Sequence, residues 1–328
     1  MGEGFAVSVP APAKPIAGIS VRSMQESDLS AAGAIFRVAF GTFIGLPDPS
    51  TFAADRDYVS TRWRADPTAA LAAELNGGLV GSNFAANWGS FAFFGPLTIK
   101  PELWNQGIAQ NLLAPTMDLF QAWGVSDAGL FTFAHSPKHV SLYQKFGFWP
   151  RFLTALMSKP VSPPEGISGW KYSEVNQAER AGVLRACREL TDSLFPGLDV
   201  TREILSVQDQ SLGDTVLIWG GDTLDAFAVC HCGPGTEAGA KTCYVKFAAV
   251  RPGTNVENRF ENLLDACEAL GAERGLERME AGVNLNRGQA YRSMLRHGFR
   301  TYSQGVAMHR PDSPAYNRPD VYIVDDWR

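Results

Sequence analysis

Helix-like and strand-like patterns of apolar residues alternate along the chain. After Pro101, apolar side chains recur at the three- and four-residue spacing of an amphipathic helix. They are Ala109, Leu112, Leu113, Met117, Phe120 and Trp123. Gly124 supplies a C-terminal stop for this helix. Residues 90–99 before it are aromatic and β-branched, and residues 129–134 after it form another apolar run, as is typical of strands. The pattern therefore predicts a strand–helix–strand unit.

The same succession of residues recurs 151 positions further along the chain. This shift places prolines, paired leucines and Gly-Phe pairs on one another: Pro101 on Pro252, Leu112-Leu113 on Leu263-Leu264, Gly124 on Gly275, and Gly147-Phe148 on Gly298-Phe299. A helical stretch and a glycine-centred hairpin precede each copy, with the helical stretches at residues 27–40 and 176–192. Matches of this kind at a fixed offset predict a tandem duplication.

The repeat predicts an α/β (α+β) fold with two tandem domains. The predicted segments are a tail at residues 1–19, a first domain at 20–158, a linker rich in Pro and Gly at 159–168, a second domain at 169–312 and a tail at 313–328. A terminal strand is expected at residues 321–324, and Asp325-Asp326 is interpreted as a solvated acidic end.

Composition narrows the function classes. With 34 acidic and 29 basic residues among 328, the formal charge is −5, which disfavours a nucleic-acid partner. No apolar run approaches the roughly 18 residues that span a bilayer, so no membrane partner is expected. All five cysteines lie in the second half and no secretory leader is recognisable, which favours a reducing cytoplasm. We expect a cytoplasmic monomer or homodimer.

The loop before the predicted helix is the first candidate site. Residues 104–110 read Trp-Asn-Gln-Gly-Ile-Ala-Gln, follow a strand and open the helix. Backbone N–H groups of such a loop converge on one point, and the helix N-terminus adds partial positive charge, so the segment can hold a pyrophosphate. Taken alone, the stretch is equally consistent with an ordinary strand-to-helix loop.

The ordered set of strand, Pro101, Gly-x-Ala loop, Leu-Leu helix, strand and the segment 142–148, Leu-Tyr-Gln-Lys-Phe-Gly-Phe, resembles the GNAT superfamily of acyl-CoA-dependent N-acyltransferases. The resemblance covers residues 20–155 and, as a diverged copy, residues 169–311. It implies two GNAT-like domains, each a mixed twisted sheet flanked by helices, and acetyl-CoA as cosubstrate. It further implies that the coenzyme pyrophosphate binds at Trp104, Asn105, Gln106, Gly107, Ile108, Ala109 and Gln110. Trp104 stands where the family usually has Gln or Arg.

The resemblance also implies roles in catalysis. Amides near Leu97, Thr98 and Ile99 would polarise the thioester carbonyl as an oxyanion site. Tyr143 would act as the general acid that protonates the departing thiolate, and the alternative is a tyrosine that only packs in the core. His135 is a candidate general base, with His139 four residues later as another.

The second copy lacks these groups. At the 151-residue offset Gly107 becomes Asn258, Ala109 becomes Phe260 and Tyr143 becomes Met294. The sequence therefore predicts one competent site, in the first copy, and a second copy that buries apolar surface. The segment Cys230-His231-Cys232 looks like a metal fragment, but alternation in a strand turns the histidine away from the two cysteines. We expect buried thiols and no metal.

These observations together predict an N-acetyltransferase. It would move an acetyl group from acetyl-CoA to a primary amine of a small molecule or peptide, by direct transfer in a ternary complex. The alternative is a non-catalytic acyl-CoA-binding or scaffold protein in which both copies are degenerate.

Overall fold

The computed structural model describes residues 18–53, 55–162, 166 and 169–328. Most of the predicted tail at 1–19 and half of the predicted linker therefore lie outside the described residues. The first half of the chain contains β1 (Ile19–Ser23), α1 (Leu29–Phe43), α2 (Val59–Ala65), β2 (Ala70–Leu75), β3 (Gly78–Trp88), β4 (Phe91–Phe94), β5 (Thr98–Ile99), α3 (Ile108–Trp123), β6 (Asp127–Thr132), α4 (Pro137–Gln144) and β7 (Trp149–Pro160).

The second half repeats this order with few changes. It contains β8 (Trp170–Lys171), α5 (Gln177–Leu194), α6 (Thr201–Asp209), β9 (Gly213–Gly220), β10 (Thr223–Gly233), β11 (Gly239–Val250), α7 (Val256–Glu273), β12 (Arg278–Asn284), α8 (Gly288–Arg296), β13 (Arg300–Arg310) and β14 (Ile323–Val324). None of the helices in these described segments is both long and apolar enough to cross a membrane.

All strands join one mixed sheet, in the order β1-β2-β3-β4-β6-β13-β7-β12-β11-β10-β9-β8, with β5 on β3 and β14 on β11. The order is symmetric about its middle, because β13 inserts between β6 and β7 while β7 lies between β13 and β12. Each half thus receives the last long strand of the other. The predicted fold class, a mixed sheet flanked by helices, is confirmed. The expected boundary at 158–169 does not separate two sheets, because β7 and β13 tie the halves together.

The predicted strand–helix–strand unit is also confirmed, as β4, α3 and β6. Helix α3 buries Leu112, Leu113 and Phe120 against the sheet, as the helical spacing predicts. Full burial of each such side chain is worth about 1.5–3 kcal/mol, so the apolar face fixes the helix on the sheet. Gly107 and Gly124 cap the two ends of the helix, and both lie in the left-handed region of backbone space.

The C-terminal segment is buried, so the prediction of a solvated acidic end is wrong. Beyond Val245 strand β11 no longer pairs with β12, and β14 occupies the vacated edge through Val324 and Ile323. Asp325 then forms an ion pair with Arg287 at 2.6 Å between Oδ1 and Nη2, with both side chains 1% exposed. Asp325 and Asp326 are therefore buried inside the fold, each beside an arginine, which their position near the chain end did not indicate.

Candidate active site

A cleft opens where two parallel strands of the first half separate. Strands β4 and β6 pair only through Phe91–Phe93 and Asp127–Gly129. The chain then breaks at Gly95-Pro96, and β5 continues on β3 alone. A cavity of about 910 Å³ lies in the opening, between residues 94–99 on one side and 130–133 on the other.

The loop before α3 forms one end of this cavity. Asn105 and Gly107 have φ angles of 65° and 82°, and no side chain caps the helix that Gly107 begins. Within the described part of the chain, no hydrogen bond uses the five consecutive backbone N–H groups of Asn105–Ala109. Left-handed turns at a helix N-terminus make an anion-binding concavity of this kind. Lys138 and Lys145 also line the cavity and add positive charge.

The predicted loop residues, apart from Gln106, line the cavity. Trp104, the departure from the family pattern, braces the loop, because its indole Nε1 donates a 2.8 Å hydrogen bond to the carbonyl of Ile99. The ammonium of Lys138 lies 5.3 Å from the centre of the Trp104 ring. The indole thus ties the loop to β5 and holds a cation beside it.

The predicted oxyanion segment, Leu97–Ile99, lines the same cavity. The N–H of Lys100 donates to the carbonyl of Val80 at 2.9 Å, so Lys100 faces β3. Successive residues of a strand alternate in direction, which turns the N–H and C=O of Ile99 away from β3 and toward Trp104. Of the three predicted amides, the N–H of Ile99 is therefore directed to the cleft, whereas Thr98 faces β3.

Tyr143 of α4 lies on the cavity wall and is 7% exposed. Burial raises the pKa of its phenol well above the usual value, and the Thr132 side chain, which is hydrogen-bonded to it, opposes the shift. A raised pKa keeps the phenol protonated across the physiological range. The side chain thus combines access to the cavity with the protonation state that a general acid needs.

The two candidate bases differ in position. His139 lines the cavity, whereas His135 does not. Burial lowers the pKa of His139, and the charges of Lys138 and His135 lower it further, so the ring is neutral at pH 7. Its Nδ1 is buried with no partner among the residues described, whereas Nε2 is not sealed off in this way. The geometry favours His139 over His135, the histidine that the sequence analysis placed first.

The remaining walls of the cavity carry residues that the sequence analysis missed. They are the phenylalanines of α1 and its following loop, together with Arg56, Tyr58, Tyr302, Trp327 and Arg328. They come from the α1–α2 connection, from β13 and from the C-terminal segment, which the fold brings together. No spacing within the sequence connects these three segments, and only the predicted strand at 321–324 hinted that the chain end is ordered.

The equivalent cleft of the second half is filled. Helix α7 begins at Val256, three residues earlier than α3 at the same offset, so Asn258 lies inside the helix, and the loop before it has its glycine at Gly253 and a left-handed Asn255 as the N-cap. Phe260 is fully buried, and its ring centre lies 5.2 Å from that of Tyr322. Strand β14 follows Tyr322 and pairs with β11 where the strands separate. The chain's own C-terminal segment therefore occupies the second opening.

The Cys-His-Cys segment lies within β10 and holds free thiols. The Sγ atoms of Cys230 and Cys267 are 3.9 Å apart, as are those of Cys232 and Cys243. His231 accepts instead from the backbone N–H of Glu237 at 3.4 Å. Away from the cavity, Asp265, Glu268 and His297 lie close together, but the Lys159 ammonium already pairs with Glu268 at 2.6 Å.

Part of the sequence matches a known family. Residues 37–148 match the model of the acetyltransferase (GNAT) family. No curated protein matches the sequence.

Several solved structures share the fold. A Pyrococcus horikoshii protein assigned as an acetyltransferase aligns with a TM-score of 0.68 and 14% identity over 94% of this chain and 95% of its own. A GCN5-related N-acetyltransferase from Sphaerobacter thermophilus aligns with a TM-score of 0.61 and 16% identity over 90% and 96%. The GCN5-related glucosamine N-acetyltransferase region of a fungal multi-domain β-N-acetylglucosaminidase aligns at 0.61 and 13% over 91% and 38%. At these identities the likeness shows the fold alone.

Proposed function

We propose that the protein moves an acetyl group from acetyl-CoA to a primary amine. The premise is that residues 37–148 are a GNAT acetyltransferase domain and that the protein is an acyltransferase. The observation that carries this proposal is the run of free N–H groups at Asn105–Ala109 beside the cleft that contains Tyr143. A row of unpaired backbone donors at a helix N-terminus fits a pyrophosphate, and the cleft beyond it fits a thioester arm.

Each group then has one role in a direct transfer. The N–H of Ile99 donates to the thioester carbonyl and stabilises the charge that develops on its oxygen. His139 accepts the proton that the attacking amine loses as the new C–N bond forms. As the C–S bond breaks, the electron pair leaves with sulfur and Tyr143 donates a proton to that thiolate. No bond to the protein forms at any step.

The reaction uses one site per chain, because the second opening holds β14 and Phe260. Calorimetric titration with acetyl-CoA tests this directly, and we expect a stoichiometry of one. A value of two would contradict the assignment of the second half as filled. No binding by folded protein would overturn the proposed function and leave the non-catalytic scaffold as the better hypothesis.

The pH dependence of kcat tests His139 as the base. Because burial lowers its pKa, the neutral form persists below pH 6.5, and kcat at saturating substrates should decline only as the pH falls through that lowered pKa. His139→Gln should lose this acidic limb and reduce kcat about 10²-fold, the lower range for general-base catalysis. His135→Gln is the matched control and should keep the limb; if it is His135→Gln that abolishes the limb, the two roles are exchanged.

The cytoplasmic compartment and the monomeric or homodimeric state stay predictions. Five cysteine thiols, with two pairs of sulfur atoms in near contact, suit the reducing cytoplasm. The shared sheet gives each half a partner within the same chain, so a monomer suffices to build the cleft.

A further inference from the structure

The wall of the cavity opposite α3 is aromatic and is only partly covered. Five half-buried phenylalanines line it, namely Phe40, Phe43, Phe52, Phe131 and Phe133. Four of the rings form a connected set: the centres of Phe43 and Phe133 are 4.5 Å apart, those of Phe40 and Phe133 are 6.1 Å apart, and Phe40 stacks on Phe52 at 5.4 Å with 11° between the planes. Such a set of rings facing an open cavity leaves a large apolar area for a flat, apolar ligand to cover.

This aromatic wall has a definite direction. At one end the ring of Phe43 lies 4.9 Å from that of His139, the proposed base. At the other end Phe36, which contacts Phe40 at 5.1 Å, lies 5.5 Å from Tyr58. Several rings therefore separate the place where an amine reacts from the polar end at Tyr58. A ligand that touches both ends is elongated.

The polar end offers donors that the protein leaves unused. Tyr58 is 7% exposed and lines the cavity, yet no hydrogen bond in the described chain involves its hydroxyl, and the oxygen is not sealed from the cavity. Next to it, Arg56 uses one guanidinium nitrogen, Nη2, in a 2.9 Å contact with Glu280. Its guanidinium makes no other hydrogen bond to the described residues. A buried tyrosine hydroxyl beside a half-used guanidinium is a fitting site for a carboxylate.

The guanidiniums at this end also suit an anion. Those of Arg56 and Arg328 contact Glu280 at 2.9 Å and 3.3 Å, and Asp326 contacts Arg328 at 3.1 Å. Among the described residues, Arg56 makes no guanidinium hydrogen bond beyond the one to Glu280, and Nη2 of Arg328 is buried without a partner. Both side chains therefore keep donors that an added carboxylate can accept from.

We propose that the acceptor is a primary amine that contains an aromatic ring and carries a carboxylate at the end of the molecule far from the amine. The amine lies at His139, the aromatic body covers the phenylalanine wall, and the carboxylate binds Arg56 and Tyr58. This inference rests on the proposed acetyl transfer, because it assigns the acceptor of that same site.

Three amines of matched chemistry test the arrangement. The first, 4-(2-aminoethyl)benzoate, has the carboxylate at the far end; its isomer L-phenylalanine has it beside the amine; and phenethylamine has none. A fourth, 6-aminohexanoate, keeps the two ends and lacks the ring. We expect kcat/KM with acetyl-CoA to be at least about 10-fold higher for 4-(2-aminoethyl)benzoate than for each of the others, the ratio expected from one charge-assisted contact.

Variants assign the preference to the polar end. Arg56→Gln and Tyr58→Phe should each lower the ratio of kcat/KM between 4-(2-aminoethyl)benzoate and phenethylamine several-fold, mainly through KM for the former. Arg278→Gln is the matched control, because Arg278 faces Glu280 from outside the cavity and is 54% exposed in its side chain. The ratio should persist in that variant.

The failures of the two proposals are distinguishable. If acetyl-CoA binds and L-phenylalanine, phenethylamine or 6-aminohexanoate is acetylated as well as 4-(2-aminoethyl)benzoate, the acceptor proposal is wrong and the acetyltransferase stands. If acetyl-CoA does not bind, the proposed function fails. Calorimetry with the product, 4-(2-acetamidoethyl)benzoate, then tests the acceptor site independently of turnover: Arg56-dependent binding supports it, and no binding overturns it.

Discussion

Gly107→Glu is expected to weaken acetyl-CoA binding about 100-fold or more without unfolding the protein. Gly107 has a φ of 82°. An L-residue with a side chain adopts such an angle at a cost of about 1–2 kcal/mol, so the substitution shifts the loop. The new carboxylate also places a negative charge where the free N–H groups of Asn105–Ala109 receive a pyrophosphate. Two unit charges 4 Å apart near a protein surface repel by about 4 kcal/mol, and a 100-fold loss needs about 2.8 kcal/mol.

Calorimetry with acetyl-CoA and a thermal unfolding curve measure the two sides of this prediction. Asn258→Glu is the matched control, because Asn258 is the equivalent position of the second half, is exposed, and lies within α7. It introduces the same charge and should leave the coenzyme affinity unchanged. If Gly107→Glu binds acetyl-CoA as the native protein does, the loop before α3 is not the coenzyme site.

The sequence predicts this loop well because every feature that defines it is local. The apolar spacing of α3, the left-handed Gly107 and the break at Gly95-Pro96 depend on neighbours within about one helical turn or one strand. The same holds for α4, which begins at Pro137 and carries Tyr143. Short-range geometry thus recovers the loop and the tyrosine that line this side of the cavity, together with the order of elements around them.

The opposite wall of the cavity, where we propose that the acceptor binds, is different. Strands that are distant in the sequence pair with each other to form it. Strand β13 reaches β6 across more than half of the chain, through Val306 opposite Thr132, and it brings Tyr302 to the cavity. The exchange of β7 and β13 replaces one pairing of apolar strands by another that is equally apolar, so the hydrophobic pattern fits either arrangement. Arg56 is likewise unmarked in the sequence, since its role depends on Glu280, 224 residues away.

The C-terminal segment contributes residues to both halves of the fold. Residues 322–324 fill the opening of the second half, where Tyr322 packs on Phe260 and Val324 pairs with Ala248. Trp327 and Arg328 then reach the cavity of the first half. The same stretch of chain that removes one cleft therefore forms a wall of the other.

Tyr143→Phe is expected to lower kcat by about 10²–10³-fold while the Kd for acetyl-CoA changes less than about twofold. General-acid catalysis contributes about 10²–10⁴-fold, and the substitution removes only the hydroxyl that donates the proton. The ring keeps its packing, with its centre 5.7 Å from that of Phe94, so the fold and the coenzyme loop are retained. Because burial raises the pKa of this phenol, its ionisation does not reduce the activity of the native enzyme near neutral pH.

Steady-state kinetics and calorimetry on the same preparation separate the general acid from its structural alternative. Tyr291→Phe is the matched control, because Tyr291 lies on α8, the equivalent of α4, one turn before Met294, and it should leave kcat unchanged. A general acid affects kcat and spares the coenzyme affinity. A tyrosine that only packs in the core would do the reverse or nothing, since its loss would loosen α4 and the cavity wall. An unchanged kcat in Tyr143→Phe would therefore exclude the phenol as the proton donor and leave solvent to protonate the thiolate.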